Sequence, residues 1–156
     1  METLNAAIKE KFSGLLFFLR RSKTEFEMVA DEMEDHSLRT ALNSLSDDSN
    51  HYAGELKNYL KAFGIYSSQN ESLTESDIAQ YSENYTTDDP EKGNELHTIC
   101  NYNEASLTQA YSELLQENMP FQILKDIMRY QLNALHNTFM IIKALNTARF
   151  SAYQFQ

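Results

Sequence analysis

The apolar residues in the first part of the chain recur at intervals of three and four positions. In the N-terminal stretch they are Leu4, Ile8, Phe12, Leu15, Leu19, Phe26, Val29 and Met33. In the next stretch they are Leu38, Leu42, Leu45, Tyr52, Leu56, Tyr59 and Phe63. Such spacing puts apolar side chains on one face of a helix. We predict helices over residues 3–33 and 37–63, with Ser37 as N-cap of the second and Gly64 as its stop.

The C-terminal half carries two further stripes of the same spacing. One comprises Leu96, Ile99, Cys100, Leu107, Ala110, Tyr111 and Leu114. The other comprises Ile123, Leu124, Ile127, Met128, Leu135, Ile142 and Leu145. The segment Asp88-Asp89-Pro90-Glu91 and, further on, Pro120 carry the signals at which helices begin. We predict helices over residues 90–117 and 120–149.

Residues 65–89 separate the two pairs of helices and are mostly polar. Neither pair could bury its apolar stripes alone, so we predict a single domain over residues 1–156 with 65–89 as a crossover. Two antiparallel helical hairpins joined by one long crossover form the arrangement of ferritin-like four-helix bundles. The predicted fold class is therefore all-α and ferritin-like.

The composition of the chain limits the classes of binding partner and the cellular compartment that we expect for the protein. The 156 residues carry a formal net charge of −10, which disfavours nucleic acid and anionic membrane surfaces because both attract clustered lysine and arginine. The apolar run from Leu15 to Leu19 is too short to span a bilayer, and no secretory signal pattern opens the chain. The single cysteine, Cys100, cannot form an intramolecular disulfide and lies on an apolar stripe. We expect a cytoplasmic protein.

Four short segments resemble those of a bacterial ferritin-like family. They are Asp35-His36-Ser37-Leu38, Ala53-Gly54-Glu55-Leu56, Cys100-x-x-x-Glu104 and Ala110-Tyr111-Ser112-Glu113. That family is a four-helix bundle of unknown function, distantly similar to the rubrerythrins. The resemblance covers most of the chain apart from the crossover. It implies the fold much better than any chemistry, together with a link to stress responses.

Two histidines occupy positions at which a ferritin-like bundle carries metal ligands. They read Asp48-x-x-His51 and Asn133-x-x-His136. Di-iron bundles use Glu-x-x-His on two helices and one further glutamate on each of the others. At about 100° per residue, His51 points sideways or outward, and Asn133 and His136 point away from the fourth stripe. We interpret both histidines as solvated or rim residues.

A different set of polar residues falls at the apolar positions of the four stripes. The first hairpin turns near residues 35 and 36, which makes Ser22 and Ser49 level across it. The second turns near residues 117–119, which makes Asn103 and Gln131 level. We predict that these four form a buried polar layer at about the depth of ferritin-like di-iron ligands. Hydroxyls and neutral amides bind iron or manganese poorly but hydrogen-bond one another well, so we expect no cofactor.

A metal site is the alternative interpretation. Glu25, Asp48, His51, Glu104 and His136 lie at compatible heights on the predicted helices. After small helix rotations they could supply three carboxylates and two imidazoles, enough for one iron or manganese ion. The main objection is the missing fourth carboxylate.

Two classes of function follow from these interpretations. The preferred class is a non-catalytic bundle with a degenerate metal site and a structural or binding role. The alternative is a metal-binding oxidoreductase or iron-handling protein. A homodimer is expected through the outer face of the first helix, because Phe17 projects opposite its stripe beside Phe18. Further apolar surface is expected from Met140, Phe150, Tyr153 and Phe155.

Overall fold

The computed structural model describes residues 6–65 and 92–154, and the side chains of residues 6–65 and 95–149. This part of the chain contains four helices and no strand. They are α1 (Ala6–Glu32), α2 (His36–Ala62), α3 (Lys92–Leu115) and α4 (Gln122–Gln154). Over these residues, the prediction of an all-α fold with four helices is confirmed. The predicted crossover beyond Ile65, and the predicted helix start at Asp88–Glu91, lie outside the described residues.

Helix α2 shows how local sequence sets its two ends. Its N-cap is Asp35, whose carboxylate accepts a hydrogen bond of 2.9 Å from the Leu38 backbone N–H. The prediction of Ser37 as N-cap is wrong. The Asp35 carboxylate already accepts from the free N–H of Leu38, and its negative charge is stabilised by the positive end of the helix dipole. At the other end, Gly64 has a φ of 71°. Its N–H donates to the Lys61 carbonyl, and the N–H of Ile65 donates to the Leu60 carbonyl, which is a Schellman motif. The predicted stop at Gly64 is confirmed.

The connection between α3 and α4 differs from the prediction. Helix α4 begins at Gln122, so Pro120 lies in the connection and not at the helix start. The ring of Phe121 stacks on that of Phe63 with their centroids 4.2 Å apart. This contact holds Phe121 against the end of α2, and the helix begins at the next residue. Helix α4 also continues to Gln154, five residues beyond the predicted end at 149.

The contacts between helices define their directions. Each helix makes its main contacts with two others, in the pairs α1–α2, α3–α4, α2–α4 and α1–α3. Lys11 of α1 contacts Glu117, which lies just beyond the end of α3, and Ser22 of α1 contacts Asn103 of α3. Residue numbers in α1 and α3 therefore rise in opposite directions. Between α2 and α4, the stacking of Phe63 on Phe121 shows that α2 ends where α4 begins. The described end of α2 and the start of α3 therefore lie at opposite ends of the bundle.

The core is built from the inward faces of all four helices. Fully buried side chains include Leu15, Leu19, Phe26, Leu42, Leu45, Leu56, Tyr111, Leu114, Leu124, Met128 and Ile142. Phe139, which the predicted α4 stripe omitted, is buried and packs edge-on against Phe26. Ile123 was predicted as a core residue but is 46% exposed. It precedes Leu124 by one residue, which turns it about 100° away from the core.

The apolar surface predicted on the outer face of α1 is only partly present. The rings of Phe17 and Phe18 are both half-buried and lie 5.5 Å apart. Met140 is exposed, as predicted, whereas the side chains of the predicted aromatic tail, residues 150–156, are outside the described set. None of the described helices is long and apolar enough to cross a membrane.

Candidate functional site

The four residues of the predicted polar layer all have fully buried side chains. Ser22, Ser49, Asn103 and Gln131 each have 0% of their surface exposed. Each belongs to a different helix, from α1 to α4 in chain order. A buried polar group is costly unless it is hydrogen-bonded, so the partners of these four side chains decide what the layer can do.

Ser22 and Asn103 form a hydrogen-bonded group between α1 and α3. The Ser22 hydroxyl donates to Asn103 Oδ1 over 2.8 Å. Asn103 Nδ2 donates to Glu25 Oε2 over 2.8 Å and to the Ile99 carbonyl over 2.9 Å. Both amide protons and the amide oxygen of Asn103 are therefore engaged. Glu25 belongs to the same group and is only 3% exposed.

The same group contains a buried arginine that the sequence patterns did not single out. Arg21 is 1% exposed, and its Nε lies 3.5 Å from Glu25 Oε1. Its guanidinium lies 4.9 Å from the ring centroid of Phe18 and 4.5 Å from that of Tyr102. Burial raises the pKa of Glu25, and this outweighs the opposing effects of the Asn103 hydrogen bond and the Arg21 charge. The i,i+4 spacing of Arg21 and Glu25 was the available signal for this pair.

Gln131 forms a second hydrogen-bonded group, between α2, α3 and α4. The Tyr111 hydroxyl donates to Gln131 Oε1 over 2.8 Å. Gln131 Nε2 donates to Glu55 Oε1 over 2.8 Å and to the Tyr52 carbonyl over 3.3 Å. Burial raises the pKa of Tyr111 well above its ordinary value, so this phenol stays a hydrogen-bond donor throughout the physiological pH range.

Gln131 was predicted to be level with Asn103, but its side chain meets Tyr111, eight residues further along α3. Helical side chains lean toward the N-terminus of their own helix. In the antiparallel pair α3–α4 this lean carries the Tyr111 side chain away from the connection and the Gln131 side chain toward it. A long side chain on α4 therefore meets a residue of α3 that lies nearer the connection than the residue level with it.

Ser49 stands apart from both groups. Among the described residues its hydroxyl has no hydrogen-bond partner, although the side chain is fully buried. An unsatisfied buried hydroxyl costs on the order of 1–3 kcal/mol. The four predicted residues thus do not form one layer of contacts. Ser22 and Asn103 belong to one hydrogen-bonded group, Gln131 belongs to a second, and Ser49 belongs to neither.

The five residues of the alternative metal site are not brought together. Within residues 6–65 and 95–149, no three His, Cys, Asp or Glu side chains are placed to hold a metal ion. Glu25 is enclosed with Arg21, whereas His51 is exposed on α2. Asp48 is half-buried, and burial, followed by the charge of Asp47, raises its pKa. The small helix rotations that this site required do not occur.

Glu104 and His136 do meet, but a lysine contacts the same carboxylate. His136 Nδ1 lies 2.9 Å from Glu104 Oε2, and Lys143 Nζ lies 2.5 Å from Glu104 Oε1. The other ring nitrogen of His136 is 3.4 Å from the Thr108 hydroxyl. Burial raises the pKa of Glu104, but the hydrogen bonds from Lys143 and His136 outweigh it, so the pKa is lowered overall. Both carboxylate oxygens of Glu104 are already occupied.

The donor set of the layer does not fit the iron or manganese pair that a ferritin-like fold implies. Such a pair needs several carboxylates to offset its charge. The layer offers hydroxyls and amides, and its buried carboxylate, Glu25, already faces a guanidinium. Cys100 adds no ligand of this kind, because burial raises the pKa of its thiol to about 12.

Comparison of the chain with protein-family models, with curated proteins and with solved structures gives no match. The resemblance to the ferritin-like family therefore stays a prediction from short segments, and the site is interpreted from its own geometry.

Proposed function

We propose that this chain is a ferritin-like helical bundle with a degenerate metal site and a non-catalytic, structural or binding role. Its polar layer fixes the packing of the four helices, and no metal ion is held there. The family likeness adds a link to stress responses.

One observation carries this proposal. Arg21 supplies a buried positive charge beside Glu25 Oε1. Asn103 donates a hydrogen bond to Glu25 Oε2 and accepts one from Ser22. A guanidinium is permanently charged, so it repels a divalent cation from the same carboxylate. In a ferritin-like bundle a metal ion would bring positive charge to the middle of the core. In this chain the Arg21 guanidinium supplies that charge.

The directions of the helices support the ferritin-like part of the proposal. In that topology two antiparallel hairpins are joined by one long connection. Two such hairpins, α1–α2 and α3–α4, fit the observed neighbours and their opposed directions. The connection itself lies outside the described residues.

Metal analysis tests the proposal directly. Untagged protein should contain no stoichiometric metal by elemental analysis. Titration with Fe(II) or Mn(II) in the absence of oxygen should produce no binding heat and no change in melting temperature. Bound ligands stabilise the native state by mass action, so an unchanged melting temperature at excess metal is an informative result.

The opposite outcome has a clear form. Stoichiometric metal that is lost on Glu25→Gln, or on His51→Ala, would overturn the proposal. Asn133→Ala serves as the matched control, because Asn133 is exposed on α4 and forms no part of either hydrogen-bonded group.

The contact between Glu104 and His136 is the one observation that favours the alternative, an iron- or manganese-binding oxidoreductase or iron-handling protein. These residues lie on neighbouring helices and approach to 2.9 Å. Removal of the competing ammonium by Lys143→Met separates the two proposals. Metal uptake by this variant alone would mean that Lys143 blocks the site in the native chain, and uptake by the native chain would favour the alternative.

A further inference from the structure

Helix α4 carries a row of exposed apolar side chains that the bundle leaves uncovered. Ile123, Tyr130 and Ile141 are 46%, 67% and 52% exposed. They are separated by seven and eleven residues, spacings that return to the same face of a helix. Rows with these spacings are the seams along which helices pack against other helices.

Acidic side chains of α2 border this row. The ring of Tyr130 meets that of Tyr52 edge-on, with the centroids 6.5 Å apart. Asp48 and Glu55 lie one turn before and one turn after Tyr52, and both are half-buried. Burial raises the pKa of Tyr52 to about 12, and the nearby charges of Asp48 and Glu55 contribute to the rise. The two carboxylates therefore lie close to the Tyr52–Tyr130 contact.

These two carboxylates have neighbours within the bundle but no lysine or arginine partner among the described side chains. Glu55 accepts a hydrogen bond from Gln131 Nε2, and His51 acts on Asp48 from one turn further along α2. Among the described residues, no lysine or arginine lies within ion-pair distance of Asp48 or Glu55. Elsewhere on the bundle, Glu27, Glu104 and Glu117 are each paired with a lysine. Half-buried carboxylates without a lysine or arginine partner, beside an apolar row, favour a partner that brings positive charge.

We propose that the surface formed by Ile123, Tyr130, Ile141, Asp48 and Glu55 binds an amphipathic helix of a partner protein. We call it the α2–α4 surface. The apolar side of the partner helix packs along the row on α4, and lysine or arginine residues at its edge pair with the carboxylates on α2. A second copy of this chain fits less well, because each copy has a net charge of −10 and the surface is itself acidic.

This inference rests on the proposed binding role, but its test does not involve metal, so the two can fail separately. The probe is a fluorescently labelled synthetic peptide of about 18 residues, long enough to follow the row. Its leucines lie on one face of a helix and its lysines on the other. A peptide of identical composition, with leucine and lysine scrambled over both faces, is the control. At about 0.15 M ionic strength, we expect the amphipathic peptide to bind at least about tenfold more tightly in fluorescence anisotropy.

Paired variants locate the binding. Tyr130→Ser with Ile141→Ser should weaken binding of the amphipathic peptide by about tenfold or more, and so should Asp48→Asn with Glu55→Gln. Asp31→Asn with Glu34→Gln removes the same number of charges from exposed positions elsewhere and should leave binding unchanged. Met28→Ser is the matched apolar control on α1, where Met28 is 46% exposed.

Two results would overturn the proposal. Equal loss of binding in the surface variants and in the control variants would mean that overall negative charge holds the peptide. A doubled mass in light scattering that Tyr130→Ser abolishes would mean that a second copy occupies the surface. If a surface variant melts early, Ile123→Ser replaces it, because the exposed side chain of Ile123 contributes little to the core.

Discussion

Arg21 and Glu25 form an ion pair that is buried in the core of the bundle. Removal of both charges from water is costly, and only good pairing and hydrogen bonding offset that cost. The Nε–Oε1 distance of 3.5 Å is longer than a hydrogen bond, and the pKa of Glu25 is raised. The burial of the Glu25 carboxylate is therefore incompletely compensated. Loss of Arg21 alone should destabilise the protein much more than loss of both charges together.

We expect Arg21→Met to lower the free energy of unfolding by about 3–5 kcal/mol, because it leaves the Glu25 carboxylate buried without its counter-charge. The double variant Arg21→Met, Glu25→Met should recover most of that loss. Urea denaturation of the four members of the cycle measures the coupling. Arg129→Met is the control and should change stability by less than about 1 kcal/mol, because the Arg129–Asp126 pair is exposed. A double variant that loses as much as the two single variants together would contradict the coupling.

The Glu104 carboxyl should make the free energy of unfolding depend on pH, with stability lost on acidification. Burial raises the pKa of this carboxyl, but the hydrogen bonds with Lys143 and His136 outweigh burial and lower the pKa below its ordinary value. A carboxyl whose folded pKa is lowered stabilises the protein above its unfolded pKa, and that stabilisation is lost as the pH falls through the folded value. We expect the native chain to lose more stability than Glu104→Gln on acidification from about pH 5 downward, as measured by urea denaturation. Parallel curves for the two proteins would show that the Lys143 and His136 contacts contribute nothing.

At the scale of elements, two glycines of α2 have opposite roles. Gly64 has a φ of 71°, a conformation that costs residues with a Cβ about 1–2 kcal/mol. Gly54 lies within the helix, and a Cβ there would meet open space. We expect Gly64→Ala to lower the free energy of unfolding by about 1 kcal/mol and Gly54→Ala to raise it by about 0.5–1 kcal/mol. Denaturant titration of both variants checks this, and a stabilised Gly64→Ala would show that the Schellman motif does not form.

At the same scale, the sequence placed the helices well but not all of their ends. The apolar periodicity is a property of each helix alone, so it predicted four helices without knowledge of their contacts. The start of α4 depends on the stacking of Phe121 on Phe63, a contact between residues far apart in sequence. Local signals at Pro120 could not include that contact, and the prediction placed the helix start two residues too early.

At the scale of the whole molecule, the predicted homodimer through α1 can be tested by measuring the mass of the protein in solution. Phe17 is half-buried, so less apolar surface is available on this face than the helical pattern alone suggested. If the dimer forms through α1, light scattering should give twice the chain mass of 18.0 kDa, and Phe17→Glu should halve that mass because it buries a charge in the interface. An unchanged mass in the variant would rule out this interface.

The sequence by itself determined the four described helices, the stop at Gly64 and most of the residues that face inward, because the period of a helix is set by its own backbone. It could therefore place Ser22, Ser49, Asn103 and Gln131 on inward faces. The tertiary structure alone decided their partners. Glu25 faces Arg21, Gln131 meets Tyr111, and Ser49 meets no described partner, because side-chain length, lean and the chemistry of the neighbouring helix act only once the helices are packed.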